Sequence, residues 1–210
     1  MPRIDLRPVT VRTDPARRLG QLLVGLMLYG TSMAMMTRAG LGLGPWDVLH
    51  QGVVLRTGLT FGTATFIASA AVLLIWIPLR QRPGIGTVAN VFVIAITVDL
   101  VRAVLPEQHA IGWQIALLIG GVVLNGLATA TYVGARLGPG PRDGLMTGLA
   151  ARTGRSVRLV RTCIEVTVLV TGWLLGGSVG IGTVLYAFGI GPLTQAFLPY
   201  VSYREPQART

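Results

Sequence analysis

Two carboxylates stand in matching settings 96 positions apart, Gly44-Pro45-Trp46-Asp47 and Gly140-Pro141-Arg142-Asp143. Proline suits the first turn of a helix, where its missing N–H has no partner and its φ is already set. An acidic residue two positions on lies where the positive end of the helix dipole stabilises a carboxylate. Gly58 and Gly154 then supply helix stops. The pattern predicts two short helices, Pro45–Thr57 and Pro141–Thr153. At 1.5 Å per residue each reaches roughly 20 Å, too short for a hydrocarbon core of ~30 Å. Each is expected either to dip into a bilayer and return or to lie along its surface. If the two helix starts meet, Asp47 and Asp143 face each other beside exposed glycine backbone. The expected substrate-binding set is then Gly44, Pro45, Asp47, His50, Gly140, Pro141 and Asp143. Paired carboxylates favour a cationic or amine-bearing substrate, or proton coupling. Plain helix capping by the two Asp residues is the alternative. His50 is matched by Met146 in the second copy, and a lone His also suits a hydrogen-bonded structural role. Trp46 reads as an anchor at the membrane interface, and Arg142 as a partner of lipid headgroups.

Other polar side chains fall inside apolar runs, where their cost argues for a use. Asp99 and Arg102 are three apart on one helix face and are expected to pair; the position equivalent to Asp99 is Gln195, also polar. Arg161 and Glu165 are four apart and suit a helical ion pair. Asn90 and Asn125 suit a cavity wall or a bond between helices. Asp99, Arg102, Glu165, Asn90, Asn125 and Gln195 together form the expected coupling pathway. Glycines 25, 30, 121, 126, 189 and 191 read as helix-packing positions, and Pro192 as a kink.

The elements that hold these residues must sit in lipid. The chain has 210 residues, 51% hydrophobic and 12% charged, with a mean hydropathy of +0.63. Soluble domains carry about a quarter charged residues. The net charge is +10, all of its basic residues being arginine. Those arginines flank oily runs, so membrane topology explains them and nucleic acid is not an expected partner. Cys163 is a single thiol without Cys or His neighbours, so it reads as a packing residue; no metal site and no cofactor are expected. No catalytic motif appears, and "GIGTV" lacks the strand context of a dinucleotide fingerprint, so an enzyme is not expected.

Six segments have spanning length: Leu19–Thr37, Thr60–Leu79, Thr87–Leu105, Gly112–Val133, Val157–Leu175 and Thr183–Val201. With the N-terminus inside, 15 arginines fall on the cytoplasmic side and only Arg38, Arg56 and Arg102 outside. That asymmetry predicts both termini in the cytoplasm. Shifting the chain by 96 aligns its halves without a gap, and about 20 of 56 pairs between positions 39 and 94 are identical. An odd number of spans per half inverts the second half. The expected fold is therefore an all-α membrane protein of six transmembrane helices in two inverted-topology three-helix repeats. Each repeat carries one short re-entrant or interfacial helix. The expected parts are a basic N-terminal segment 1–18, repeat one over 19–105, repeat two over 112–201, and a tail 202–210.

"GLGPWDVLHQG" at 42–52, "RTGLTFG" at 56–62, "LGPGPRDGLMTGL" at 137–149 and "GIGTVLYAFGIGPL" at 180–193 resemble the YczE/YyaS/YitT-type integral membrane proteins of bacteria. The resemblance covers most of residues 20–200 and implies a multi-pass protein of the bacterial cytoplasmic membrane. It implies little chemistry; some members look like accessories to secondary-metabolite production. YitT-type members add a soluble C-terminal domain, for which this chain offers only a short tail. The leading expectation is a small secondary transporter for an unknown small molecule. The rival is a non-transporting scaffold for a partner membrane complex such as a biosynthetic pathway, or a homodimer. Arg152, Arg155, Arg158 and Arg161 would then meet anionic lipid or the partner.

Overall fold

The computed structural model describes Thr10 and residues 12–203. Most of the basic N-terminal segment and most of the tail, with Arg3, Arg7, Arg204 and Arg209, lie outside the described residues. The described residues form eight helices and no strand: α1 Pro15–Ala39, α2 Pro45–Thr57, α3 Phe61–Leu79, α4 Ile85–Val104, α5 Ile111–Gly134, α6 Pro141–Thr153, α7 Val157–Leu174 and α8 Ile181–Val201. Five of them, α1, α3, α4, α5 and α8, are long and apolar enough to cross a membrane. The sixth expected span is helix α7, set apart from these five by Arg158, Arg161 and Glu165.

Local chemistry fixes the helix ends. Pro15, Pro45 and Pro141 open α1, α2 and α6. Gly40, Gly58 and Gly154 close the same helices at φ 69, 73 and 66, values that cost glycine little. The Thr60 and Ser156 hydroxyls cap α3 and α7 by accepting from Thr63 N and Leu159 N. Gly84 N–H donates to Thr87 Oγ1 at 3.1 Å, and Thr87 donates to Pro139 O at 2.7 Å. That pair ties the start of α4 to the segment leading into α6.

Helices α1 and α5 pack together at the centre, flanked by α4 and α8. The short helices cross over: α2 packs on α7, and α6 on α3. Contacts made by one half on the other are returned at positions 96 apart. A Cβ on Gly25 would come within 2.7 Å of Tyr132 N, and one on Gly121 within 2.8 Å of Met36 Cγ. Gly86 N–H donates to Leu137 O at 3.0 Å, and Gly182 N–H to Leu41 O at 2.8 Å. The Trp76 ring lies against Gly144, and Gly172 lies against Val48 and Leu49. Large apolar side chains such as Leu74, Ile77, Val104, Trp113 and Phe188 point outward. They form the lipid-contacting surface that a membrane protein needs, since lipid replaces water as the solvent of this face.

Cys163 is exposed on α7 and does not pack in the interior. Arg18, one of the 15 arginines placed on the cytoplasmic side, is 0% exposed, which leaves that count as it stands. Its guanidinium donates to Ala135 O at 3.0 Å, Arg136 O at 3.1 Å, Thr10 O at 2.7 Å and Thr13 O at 3.0 Å. Those carbonyls at the end of α5 and ahead of α1 satisfy a buried charge that would otherwise be costly. The Tyr203 hydroxyl closes the same corner by donating to Asp14 Oδ2 at 2.6 Å.

Candidate functional site

Helices α2 and α6 both start at one cavity of about 260 Å³. All eight residues of Gly44–Asp47 and Gly140–Asp143 line it. Much of the wall comes in equivalent pairs, among them Asn90 with Tyr186, Thr65 with Arg161, Ser69 with Glu165, and Ile94 with Ile190. The charge is unevenly divided. The first half supplies Asp47 beside neutral Thr65 and Ser69; the second supplies Asp143, Arg142, Arg161 and Glu165.

Asp47 is 4% exposed, in the first turn of α2. Its Oδ1 is buried without a hydrogen-bond partner, as is Trp46 Nε1. His50 Nδ1, one turn further along α2, lies 3.4 Å from Oδ1. His50 is 0% exposed. Its Nδ1 is also 3.2 Å from Thr65 Oγ1. The Thr65 proton goes to Phe61 O at 2.9 Å, so Thr65 accepts from Nδ1–H. Nε2 is left as the acceptor facing Arg142 Nη2 at 3.5 Å. The network therefore assigns a neutral His50, held behind Asp47. Asp143 is open to the cavity, and its Oδ2 accepts from the Tyr132 hydroxyl at 3.1 Å. Arg161 Nε and Glu165 Oε1 pair at 2.8 Å on α7. Tyr186 donates to Asn125 Oδ1 at 3.2 Å, and Asn125 Nδ2 to Ser32 Oγ at 2.7 Å, so Asn125 stands behind the wall.

The sequence-derived residues thus divide by place. Gly44, Pro45, Asp47, Gly140, Pro141, Asp143, Asn90, Glu165 and Gln195 line the cavity. Asp99 and Arg102 do not. Asp99 holds the start of α3, accepting from Gly62 N at 2.7 Å and Thr60 Oγ1 at 2.5 Å. Arg102 lies over the Phe61 ring at 5.2 Å, in place of the expected pairing with Asp99. Arg152, Arg155 and Arg158 are exposed, and Arg152 donates to Pro78 O. Arg161 is exposed as well, and it also lines the cavity.

Trp46 and Arg142 need correcting. Trp46 is 8% exposed and lines the cavity, with no place on an outer surface. Arg142 stands over its ring at 4.8 Å, so its charge faces inward. The tyrosines Tyr29, Tyr132 and Tyr186 were missed; Tyr186 could have been found as the equivalent of Asn90.

The Asp99 geometry makes a clean control. Asp99→Ala removes both acceptors at the α3 start and is expected to lower stability by about 1–3 kcal/mol. Thermal unfolding in detergent should register that loss, while ligand affinity at the cavity stays at the wild-type value.

Apolar helices with an outward apolar surface, wrapped around a cavity that charged and aromatic side chains line, define a multi-pass membrane protein. The chain belongs to the family of unknown function DUF6198, whose model matches residues 16–199. It is 36% identical to an uncharacterized protein of Haemophilus influenzae over 98% of this chain and 97% of that one. It is 34% identical to the uncharacterized membrane protein YczE of Bacillus subtilis, over 83% of this chain and 81% of YczE. With the uncharacterized protein YyaS of Bacillus subtilis the identity is 28%, over 85% of this chain and 90% of YyaS. The expected likeness to YczE and YyaS is thereby shown. No solved structure matches the chain significantly.

Proposed function

We propose that the protein is a small secondary transporter of the bacterial cytoplasmic membrane, with both termini in the cytoplasm. Its two halves are three-span repeats of inverted topology, and α7 is the sixth span. Helices α2 and α6 are re-entrant half-helices whose starts form the substrate site. The observation that carries this reading is the single cavity of about 260 Å³ lined by both Gly-Pro-x-Asp segments. Irregular backbone at membrane depth is tolerated where it lines a cavity, and half-helix starts at a repeat interface are a recurrent substrate site. The returned contacts between halves support the repeat relation. The excess of arginines on one side supports the orientation. Helix α7 carries its charge at little cost, because Arg161 and Glu165 pair and line the cavity.

The test is flux. Proteoliposomes holding the protein should exchange small amine-bearing solutes or protons across the bilayer, and a variant with both Asp47→Asn and Asp143→Asn should not. Full flux through that double variant would reject the reading.

A further inference from the structure

The ligand's chemistry can be narrowed from the cavity's own charges and rings. Three carboxylates (Asp47, Asp143, Glu165) and two guanidiniums (Arg142, Arg161) line it. Arg161 and Glu165 satisfy each other at 2.8 Å. With His50 neutral, the two guanidiniums face three carboxylates in all. One negative charge is in excess, and Asp47, the buried carboxylate of the three, holds its charge away from water, where it needs a counterpart. The vacant contact is identifiable: Asp47 Oδ1 is buried and has no hydrogen-bond partner.

An anion does not fit. The starts of α2 and α6 favour negative charge, but their first turns already hold Asp47 and Asp143. The rest of the wall favours a cation of a particular kind. Trp46, Tyr29, Tyr132 and Tyr186 line the cavity. The Tyr132 and Tyr186 hydroxyls are engaged by Asp143 and Asn125, so the ligand meets their rings more than their polar ends. Aromatic faces beside carboxylates attract cations, above all alkylated ammonium groups, whose methyls pack on the rings. One cation already occupies such a face, since the Arg142 guanidinium lies 4.8 Å from the Trp46 ring centre.

We propose that the cavity binds an alkylated organic cation, and that Arg142 is a tethered stand-in that occupies the Trp46 face until the ligand displaces it. This rests on the transport-site reading only in treating the cavity as a ligand site. The tether makes an unusual demand on mutagenesis: removing a positive side chain from the site should improve binding of the ligand.

The experiment titrates the purified full chain with tetramethylammonium or ammonium chloride at constant ionic strength, by calorimetry and tryptophan fluorescence. Tetramethylammonium is expected to bind about tenfold more tightly than ammonium. Asp47→Asn and Trp46→Leu should each weaken it by about tenfold or more, and Arg142→Gln should tighten it by about tenfold. Trp46→Phe, which keeps a ring, should fall between wild type and Trp46→Leu, and it serves if the latter does not fold. Equal affinity for the two cations, or weaker binding by Arg142→Gln, would overturn the proposal. Flux of another solute without tetramethylammonium binding would overturn this proposal and leave the transporter reading standing. Tetramethylammonium binding with no flux of any kind would do the reverse.

Discussion

Asp47→Asn is expected to cut flux through reconstituted protein sharply while leaving its abundance in the membrane unchanged. The substitution keeps the side chain's size, so the packing of α2 against α7 has no reason to change. Among the described residues, it removes the one carboxylate whose oxygen is buried without a partner. The charge balance of the cavity moves from one negative to neutral, and the attraction for a cation goes with it. Hydrogen bonds to charged groups contribute about 1.5–3 kcal/mol, so the rate should fall roughly tenfold to a hundredfold at low substrate. Asp143→Asn should act in the same direction but less strongly. Asp143 is open to the cavity, and an Asn oxygen there can still accept from Tyr132. Initial rates of uptake, normalised to inserted protein, check both. Unchanged rates for Asp47→Asn would remove Asp47 from the site.

The second large effect concerns the joint between the halves. Gly144→Val should sharply reduce the amount of folded protein, because even its Cβ would come within 2.0 Å of the Trp76 ring. Overpacking of this kind costs typically 1–3 kcal/mol and occasionally more. The contact on the other side of the molecule has the reverse design, Gly172 against Val48. Trp76 is the equivalent of Gly172, and Gly144 the equivalent of Val48. A double variant with Trp76→Gly and Gly144→Val therefore copies a joint the protein already uses. Trp76→Gly alone opens a cavity and loses the bond from Trp76 Nε1 to Pro141 O at 3.0 Å, at a cost of roughly 3–5 kcal/mol. The pair should be less harmful than the two singles summed, with a coupling of about 1 kcal/mol or more. Unfolding of the four proteins in detergent completes the cycle, and strictly additive losses would count against equivalent joints.

The same equivalence explains what could be read from the chain alone. Proline ahead of each short helix and glycine behind it bound α2 and α6, because those residues act through their own φ and N–H and need no tertiary context. The long apolar runs gave the long helices for the same reason. Direction was harder. A sequence places Trp46 and Arg142 at matching depths, and both types suit a membrane interface. Only the crossing of α2 and α6 onto the opposite half brings Arg142 onto the Trp46 ring. Asp99 showed the converse failure. Its spacing from Arg102 fits a helical pair, yet the free end of α3 offers it two donors at shorter range. Cys163 looked like an interior residue because buried thiols are common in water-soluble proteins. In a membrane protein the outside can be apolar too, so that inference loses its basis.

The most direct test of the account places the two halves relative to the membrane. Thr60 and Ser156 are equivalent, exposed, and cap α3 and α7. In a Cys163→Ser background, Thr60→Cys and Ser156→Cys can each be probed in intact cells with a maleimide that cannot cross the membrane. The inverted arrangement predicts that Thr60→Cys is labelled from outside and Ser156→Cys only after the membrane is opened. Labelling of both from the same side would contradict it.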